Sequence, residues 1–218
     1  MNLFRTFVTG GTMFVVMGAI LAIAAAIWAY WCADKAVLRR HGARALAETE
    51  APVLLALVRR LAGQAKLPMP GVYLAQDPQP NAFATGRDPA HAAVCVTRGL
   101  LETLSGDQLA GVIAHELGHI RNRDTPIMTI VALVAGARGA GLFGVVLAPL
   151  ASRLAHMSRS REFAADRASA EITGEPLWLA SALGDLELAH PAAAFGSHPS
   201  TEQRIARLRR VANLRAAA

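Results

Sequence analysis

The sequence predicts an α+β fold, a mostly helical domain with a small three-stranded sheet, preceded by an N-terminal transmembrane helix. Three observations carry that prediction. No residue from Thr6 to Ala33 is charged, three short β-like runs lie between residues 71 and 97, and apolar residues elsewhere recur at helical spacing. Hydrophobic residues make up 53% of the chain and charged residues 17%, an apolar balance that directs attention to a membrane component first.

The uncharged N-terminal segment is 28 residues long. As a helix it reaches roughly 42 Å, against a hydrocarbon core of about 30 Å. Trp28, Tyr30 and Trp31 crowd its end, and Lys35, Arg39, Arg40 and Arg44 follow at once. Amphipathic rings favour the headgroup layer and basic residues the cytoplasmic side. Only Arg5 precedes the segment, so the N-terminus is expected outside and the remainder in the cytoplasm. Residues 1–34 are therefore assigned to the membrane and 35–218 to the functional domain. A cleaved signal peptide fits poorly, because its apolar region spans only about 7–15 residues. The net charge of +6 comes from 20 arginines and two lysines against 16 acidic residues. No aromatic residues interleave with these arginines, which disfavours a nucleic-acid surface and leaves anionic lipid as their partner. Cys32 and Cys95 form neither a disulfide framework nor a paired thiolate metal motif.

Beyond the basic collar, Leu54, Leu55, Leu57, Val58 and Leu61 mark a core-packing helix over 52–64, with Pro52 tolerated in its first turn. The runs GVYLA (71–75), NAFAT (81–85) and AAVCVT (92–97) read as strands, the last two as a hairpin. Ser105 and Gln108 form a capping box opening a helix whose apolar face is Leu109, Val112, Ile113, Leu117 and Ile120. Residues 125–152 are apolar except for Arg138, which sits among Gly136, Gly139 and Gly141. A single span there would separate its two flanks by the bilayer, so a short membrane-associated hairpin is expected instead. The segment SRSREFAAD (158–166) follows, then a break at Gly174-Glu175-Pro176, an apolar helix to about Leu188, and a last helix capped by Ser200 and Gln203.

The chemistry concentrates in HELGHIRNRD, residues 115–124. Four residues apart on a helix, His115 and His119 present two imidazoles to one point, with Glu116 beside them within reach of a water molecule. Two histidines leave a catalytic zinc ion in need of one more protein ligand. Glu162 and Asp166 are also four apart on a predicted helix, so one carboxylate can complete the zinc shell while the other accepts a proton from a ligand histidine. A solvated charged face paired with Arg159 and Arg161 is the plainer alternative for them. His156 and Cys95 compete as third ligands, but His156 needs a further turn of helix and Cys95 stands in no metal motif. Glu162 ranks ahead of both.

NAFATG at 81–86, GLL at 99–101, HELGHIRNRD, SRSREFAAD and HPSTEQRI at 198–205 occur in this order. With them the chain resembles the HtpX-like membrane zinc endopeptidases, relatives of the prenyl-protein endopeptidases, over nearly everything after the first apolar segment. The resemblance implies a zincin-like metalloprotease domain holding one zinc ion. His115, His119 and Glu162 would be its ligands, Glu116 the catalytic base and Asp166 the support of a ligand. It further implies that the strand carrying Asn81, Ala82, Phe83 and Ala84 offers its edge to an extended peptide, and that His198 and Arg204 steady an oxyanion. The implied partners are polypeptide substrates, misfolded membrane proteins among them, and the lipid bilayer, with no nucleic acid. The implied setting is membrane-protein quality control and stress response at the inner (plasma) membrane, with the catalytic domain facing the cytoplasm. The family's layout has four spans; this chain shows one clear span and a shortened apolar insert. That departure keeps a second function in view, a catalytically silent, membrane-anchored scaffold that uses zinc to shape a peptide groove.

Overall fold

The computed structural model describes residues 2–129, 158–189 and 200–217. Most of the expected hairpin at 125–152, together with His156 and His198, falls outside them. In chain order the described elements are α1 (Asn2–Arg40), β1 (Arg44–Ala45), α2 (Pro52–Gln64), β2 (Gly71–Ala75), β3 (Ala82–Gly86), β4 (Ala92–Thr97), α3 (Arg98–Thr103), α4 (Gly106–Arg121), α5 (Ser158–Thr173), α6 (Pro176–Ala189) and α7 (Thr201–Ala216). The domain is thus mostly helical, with a small mixed sheet.

The sheet has four strands, not the expected three, in the order β1-β2-β4-β3. The additional strand is β1, which pairs Arg44 with Leu74 and Ala45 with Tyr73. Two residues are too few to show alternation, so only the sheet itself reveals it. β2 and β4 are parallel neighbours, and β3 and β4 form the expected antiparallel pair, leaving β3 at an edge. Side chains alternate strictly. Val72, Ala84, Val94 and Val96 enter the main core, which also holds Leu61, Leu100, Ile113 and Leu117. Tyr73, Ala75, Phe83, Ala93 and Cys95 face the other way, onto Leu38 near the end of α1. The sheet is therefore covered on both faces, and β4, buried at every position, is its centre.

Helix α4 opens with the predicted capping box: the Ser105 hydroxyl accepts from the Gln108 backbone N–H, and the Gln108 side chain accepts from that of Ser105. Every residue from Ala110 to Ile120 is buried. Ile113 and Leu117 are wholly enclosed, each contributing about 1.5–3 kcal/mol through burial. A helix buried all round is the hub of its domain, and α2, α5, α6, β3 and β4 all pack on α4.

The N-terminal expectation is corrected in one respect: no helix among the described residues is long and apolar enough to cross a membrane. The anticipated span includes positions, among them 6–12, 22, 25, 26 and 29, whose side chains lie outside the described set. What is described is a single 39-residue helix with Met13, Phe14, Ile20, Leu21, Trp28 and Trp31 exposed along it. At its other end, Ala33, Val37 and Leu38 are buried against the domain.

Burial of Cys95 within the sheet pushes its thiol pKa up to about 11, and the thiolate is the reactive form. We expect Cys95 to stay unmodified by a maleimide in the native protein at neutral pH and to react only in denaturant, as read by peptide mass spectrometry. Rapid native labelling at Cys95 would contradict the packing of the sheet on α1.

Candidate metal centre

Two helices supply the centre, and their backbones nearly touch. A Cβ placed on Gly118 would lie 2.8 Å from the Ala168 Cβ and 3.1 Å from the Ala165 carbonyl oxygen of α5. On the other flank, a Cβ on Gly111 would lie 2.6 Å from the backbone nitrogen of Leu179 in α6. Glycine on α4 facing alanine on α5 brings His115 and His119 within side-chain reach of Glu162 and Asp166. All four are buried, at 7%, 1%, 3% and 3% exposure, so a solvated charged face is excluded for them.

The donor atoms converge. His115 Nε2 and His119 Nε2 are 3.2 Å apart, while the Glu162 oxygens lie 3.5 Å from the former and 3.7 Å from the latter. Ligands bonded at about 2.0–2.1 Å in a tetrahedron stand roughly 3.3 Å from one another. His115, His119 and Glu162 are also the residues whose potential ligand atoms all fall within 4.8 Å of each other, the one such grouping among the described residues. Two imidazoles and a carboxylate with an open fourth position suit zinc. Of the competing third ligands, Cys95 lies buried in the sheet, away from this grouping, and His156 is outside the described residues.

Each histidine is aimed by a carboxylate. His115 Nδ1 meets Asp166 Oδ1 at 3.0 Å, the support expected from sequence. His119 Nδ1 meets Asp124 Oδ2 at 3.1 Å, a partner the sequence reading missed. Asp124 arrives there because α4 ends in a tight reversal: its N–H donates to the His119 carbonyl and the Arg123 N–H to that of Ile120, at 2.9 and 3.1 Å. Arg123 takes a left-handed φ of 59°, completing a Schellman turn. The signal was present as a polar Asn122-Arg123-Asp124 run just past the helix end. Both carboxylates are backed by arginine. Arg204 donates to Asp166 from Nε at 2.9 Å and from Nη2 at 2.5 Å, and Arg161 Nε lies 3.5 Å from Asp124.

These neighbours set the proton affinities. Burial disfavours the His115 imidazolium, but Asp166 and Glu162 outweigh burial and hold its pKa up at about 9. Burial alone would raise the Asp166 carboxyl, yet the His115 and Arg204 contacts keep it below its ordinary value. For Glu116 burial prevails and the pKa rises. One Glu116 oxygen faces the backbone N–H of Ala84, and Oε2 is buried without a hydrogen-bond partner.

A cavity of about 490 Å³ opens over this cluster, lined by Asn81, Ala82 and Phe83 on one side and by Glu116, Glu162 and Arg204 on another. Ala84 is absent from that lining, and its N–H faces Glu116. Asn81 is fixed through its backbone, donating to the Thr97 hydroxyl at 2.8 Å and accepting from the Thr97 N–H at 2.9 Å. In an antiparallel pair this register turns the N–H and C=O groups of Ala82 and Ala84 away from β4.

The model for "Peptidase family M48" matches residues 48–212. The fold is similar to that in the crystal structure of S. mikatae Ste24p, with a TM-score of 0.61 at 18% identity over 89% of this chain and 58% of that one. This chain thus spans less than two thirds of that protein's length, and at such identity the likeness concerns the fold.

Two substitutions test this construction. Gly118→Ala forces α4 and α5 apart by an amount on the order of 1 Å, since carbon atoms prefer about 3.5–4.0 Å. Zinc affinity should fall roughly 10–100-fold, the range for disturbed ligand support, as measured by competition with a chelating dye; unchanged affinity would refute the close-approach argument. Arg123→Gly removes the left-handed strain of a side-chain-bearing residue, worth about 1 kcal/mol or more. The thermal midpoint should rise by about 2–4 °C for a chain of this size with zinc affinity retained.

Proposed function

The chain belongs to peptidase family M48, and from that premise we propose that it is a zinc-dependent endopeptidase held at a membrane, cleaving peptide bonds within polypeptide chains. The observation that carries the reading is the Glu116 carboxylate: buried, with one oxygen unpartnered, beside three converging metal-donor groups. A structural metal site needs the three donors and has no use for such a group.

His115, His119 and Glu162 would hold the ion. Bound there, zinc supplies Lewis acidity toward a peptide carbonyl and a water molecule. Glu116 takes the proton of the attacking water on Oε2, the oxygen left without a hydrogen-bond partner, and returns it to the leaving amine. Asp166 and Asp124 hold the imidazoles in the tautomer that leaves each Nε2 free. The outward groups of Ala82, and the carbonyl of Ala84, pair with an extended substrate added to the β3 edge, with Asn81 and Phe83 bordering the same cavity. Arg204, fixed by Asp166, presents positive charge toward the oxyanion. His198 is assigned the same duty by its place in HPSTEQRI and lies outside the described residues.

Membrane attachment rests on the uncharged stretch from Thr6 to Ala33 and the exposed apolar side chains of α1. The basic collar after it favours a cytoplasmic domain at the inner membrane. Surveillance of misfolded membrane proteins is the setting most consistent with a protease placed there.

Glu116→Gln keeps the shape of the side chain and removes the base. Zinc content by atomic emission should be unchanged, while chelator-sensitive casein cleavage falls roughly 10²–10⁴-fold. Cleavage at the wild-type rate would remove Glu116 from its role. A zinc-loaded wild-type protein that binds peptide without cleaving it would favour the silent scaffold.

A further inference from the structure

A second cavity, of about 350 Å³, lies between α5 and α7, lined by Phe163, Asp166, Arg167, Arg207, Leu208 and Arg210. Its charge is unbalanced. Some arginines elsewhere are paired with carboxylates, as in Arg44–Glu50, Arg98–Glu102 and Arg121–Glu171. Arg167, Arg207 and Arg210 have no ion pair with any described residue. The one carboxylate in the wall is already engaged: Asp166 Oδ2 accepts from Arg204, and Oδ1 faces both Arg204 and His115. It cannot neutralise three further guanidiniums.

The arrangement is also partly ordered in advance. The Arg207 guanidinium lies over the Phe163 ring at 3.8 Å from its centroid. Stacking fixes the plane of the fork and leaves its in-plane N–H donors available. Arg210 comes from the same helix and Arg167 from the facing one, so donors approach from two sides across a floor that includes the buried Leu208. A carboxylate ligand offers two oxygens to such a set. A phosphate group offers three or four, together with up to two negative charges, and matches three guanidinium forks better.

The geometry points to a phosphate-binding site formed by Arg167, Arg207 and Arg210, distinct from the metal centre and independent of whether that centre hydrolyses peptides. The phosphate is that of an anionic lipid headgroup or of a free phosphorylated compound. Isothermal titration of the full chain in non-ionic detergent, with inorganic pyrophosphate in one arm and dihexanoyl phosphatidylglycerol in the other, separates the two sources. One saturable site is expected, tighter for the lipid if the source is a headgroup and tighter for pyrophosphate if it is a free compound. Arg207→Gln and Arg210→Gln should each weaken binding about tenfold or more, with Arg167→Gln as a third variant from the opposite helix. All three side chains are exposed, so thermal midpoint and zinc content should match wild type. Arg59→Gln, which disrupts the pair with Glu48 on another surface, should leave affinity unchanged. Absence of saturable binding to either probe, or an equal loss in Arg59→Gln, would overturn the assignment.

Discussion

The closeness of α4 and α5 is the constraint from which the rest of the centre follows. Glutamate and histidine side chains are short compared with the usual 8–10 Å between helix axes carrying large residues. The α4 and α5 donors come within 3.5 and 3.7 Å of one another because the backbones are in contact, and a metal centre tolerates errors of about 0.2 Å. Gly118 supplies that contact from α4, Ala165 and Ala168 from α5. The same device operates on the opposite flank, where Gly111 admits the backbone of α6. With neighbours locked on both sides, α4 has little freedom to rotate, and the direction of its two imidazoles is set by packing before any ligand arrives.

Electrostatics then explains why so many charged groups can be buried together. Around the two imidazoles stand the carboxylates of Glu116, Asp124, Glu162 and Asp166, and the guanidiniums of Arg161 and Arg204. With neutral histidines, four negative and two positive charges leave an excess of two negative charges, which one divalent cation cancels. Burial raises the proton affinity of Glu116, and the Asp166 and Glu162 carboxylates raise that of His115 against burial. Arg204 and Arg161 therefore act first as counter-charges to Asp166 and Asp124. Any role of Arg204 toward substrate comes from what remains of its donor set once Asp166 is satisfied.

Much of this was legible in the sequence, and the omissions share a cause. The ranges of α2, β2 and β4 and the capping box of α4 follow from local rules of periodicity and caps, and the structure reproduces them. Glu162 and Asp166 could be paired with the histidines because i,i+4 spacing on two helices limits the combinations. Asp124 could not, since its position depends on the left-handed Arg123, a backbone state that sequence signals mainly through glycine or asparagine. β1 escaped because a two-residue strand exists only through its partner. Gly118 read as a neutral letter within HELGH, and its purpose emerges only when Ala165 and Ala168 stand opposite it. What local sequence conveys is which residues share a face; what it withholds is how near that face comes to another.

The edge strand shows how the two kinds of information combine. Along β3 the core-facing and α1-facing side chains alternate, Ala84 entering the main core and Phe83 packing toward Leu38. Beyond them, Arg87 lies over the Trp31 ring at 4.5 Å. The Thr85 hydroxyl meets that of Thr129 at 2.9 Å. Thr129 uses its own proton on the Thr125 carbonyl, so Thr85 must be the donor to it. The strand is thus pinned from two directions, by α1 and by the helical residues 125–129 that follow the Schellman turn. Its Ala84 N–H meets Glu116, which makes the height of the strand over the metal-donor cluster a consequence of these anchors. A peptide added to that edge would inherit the same register. The C-terminal end of α1 and the helical residues 125–129 are then also the elements that fix where a substrate bond would lie relative to Glu116, so the proposed chemistry rests on their packing against β3.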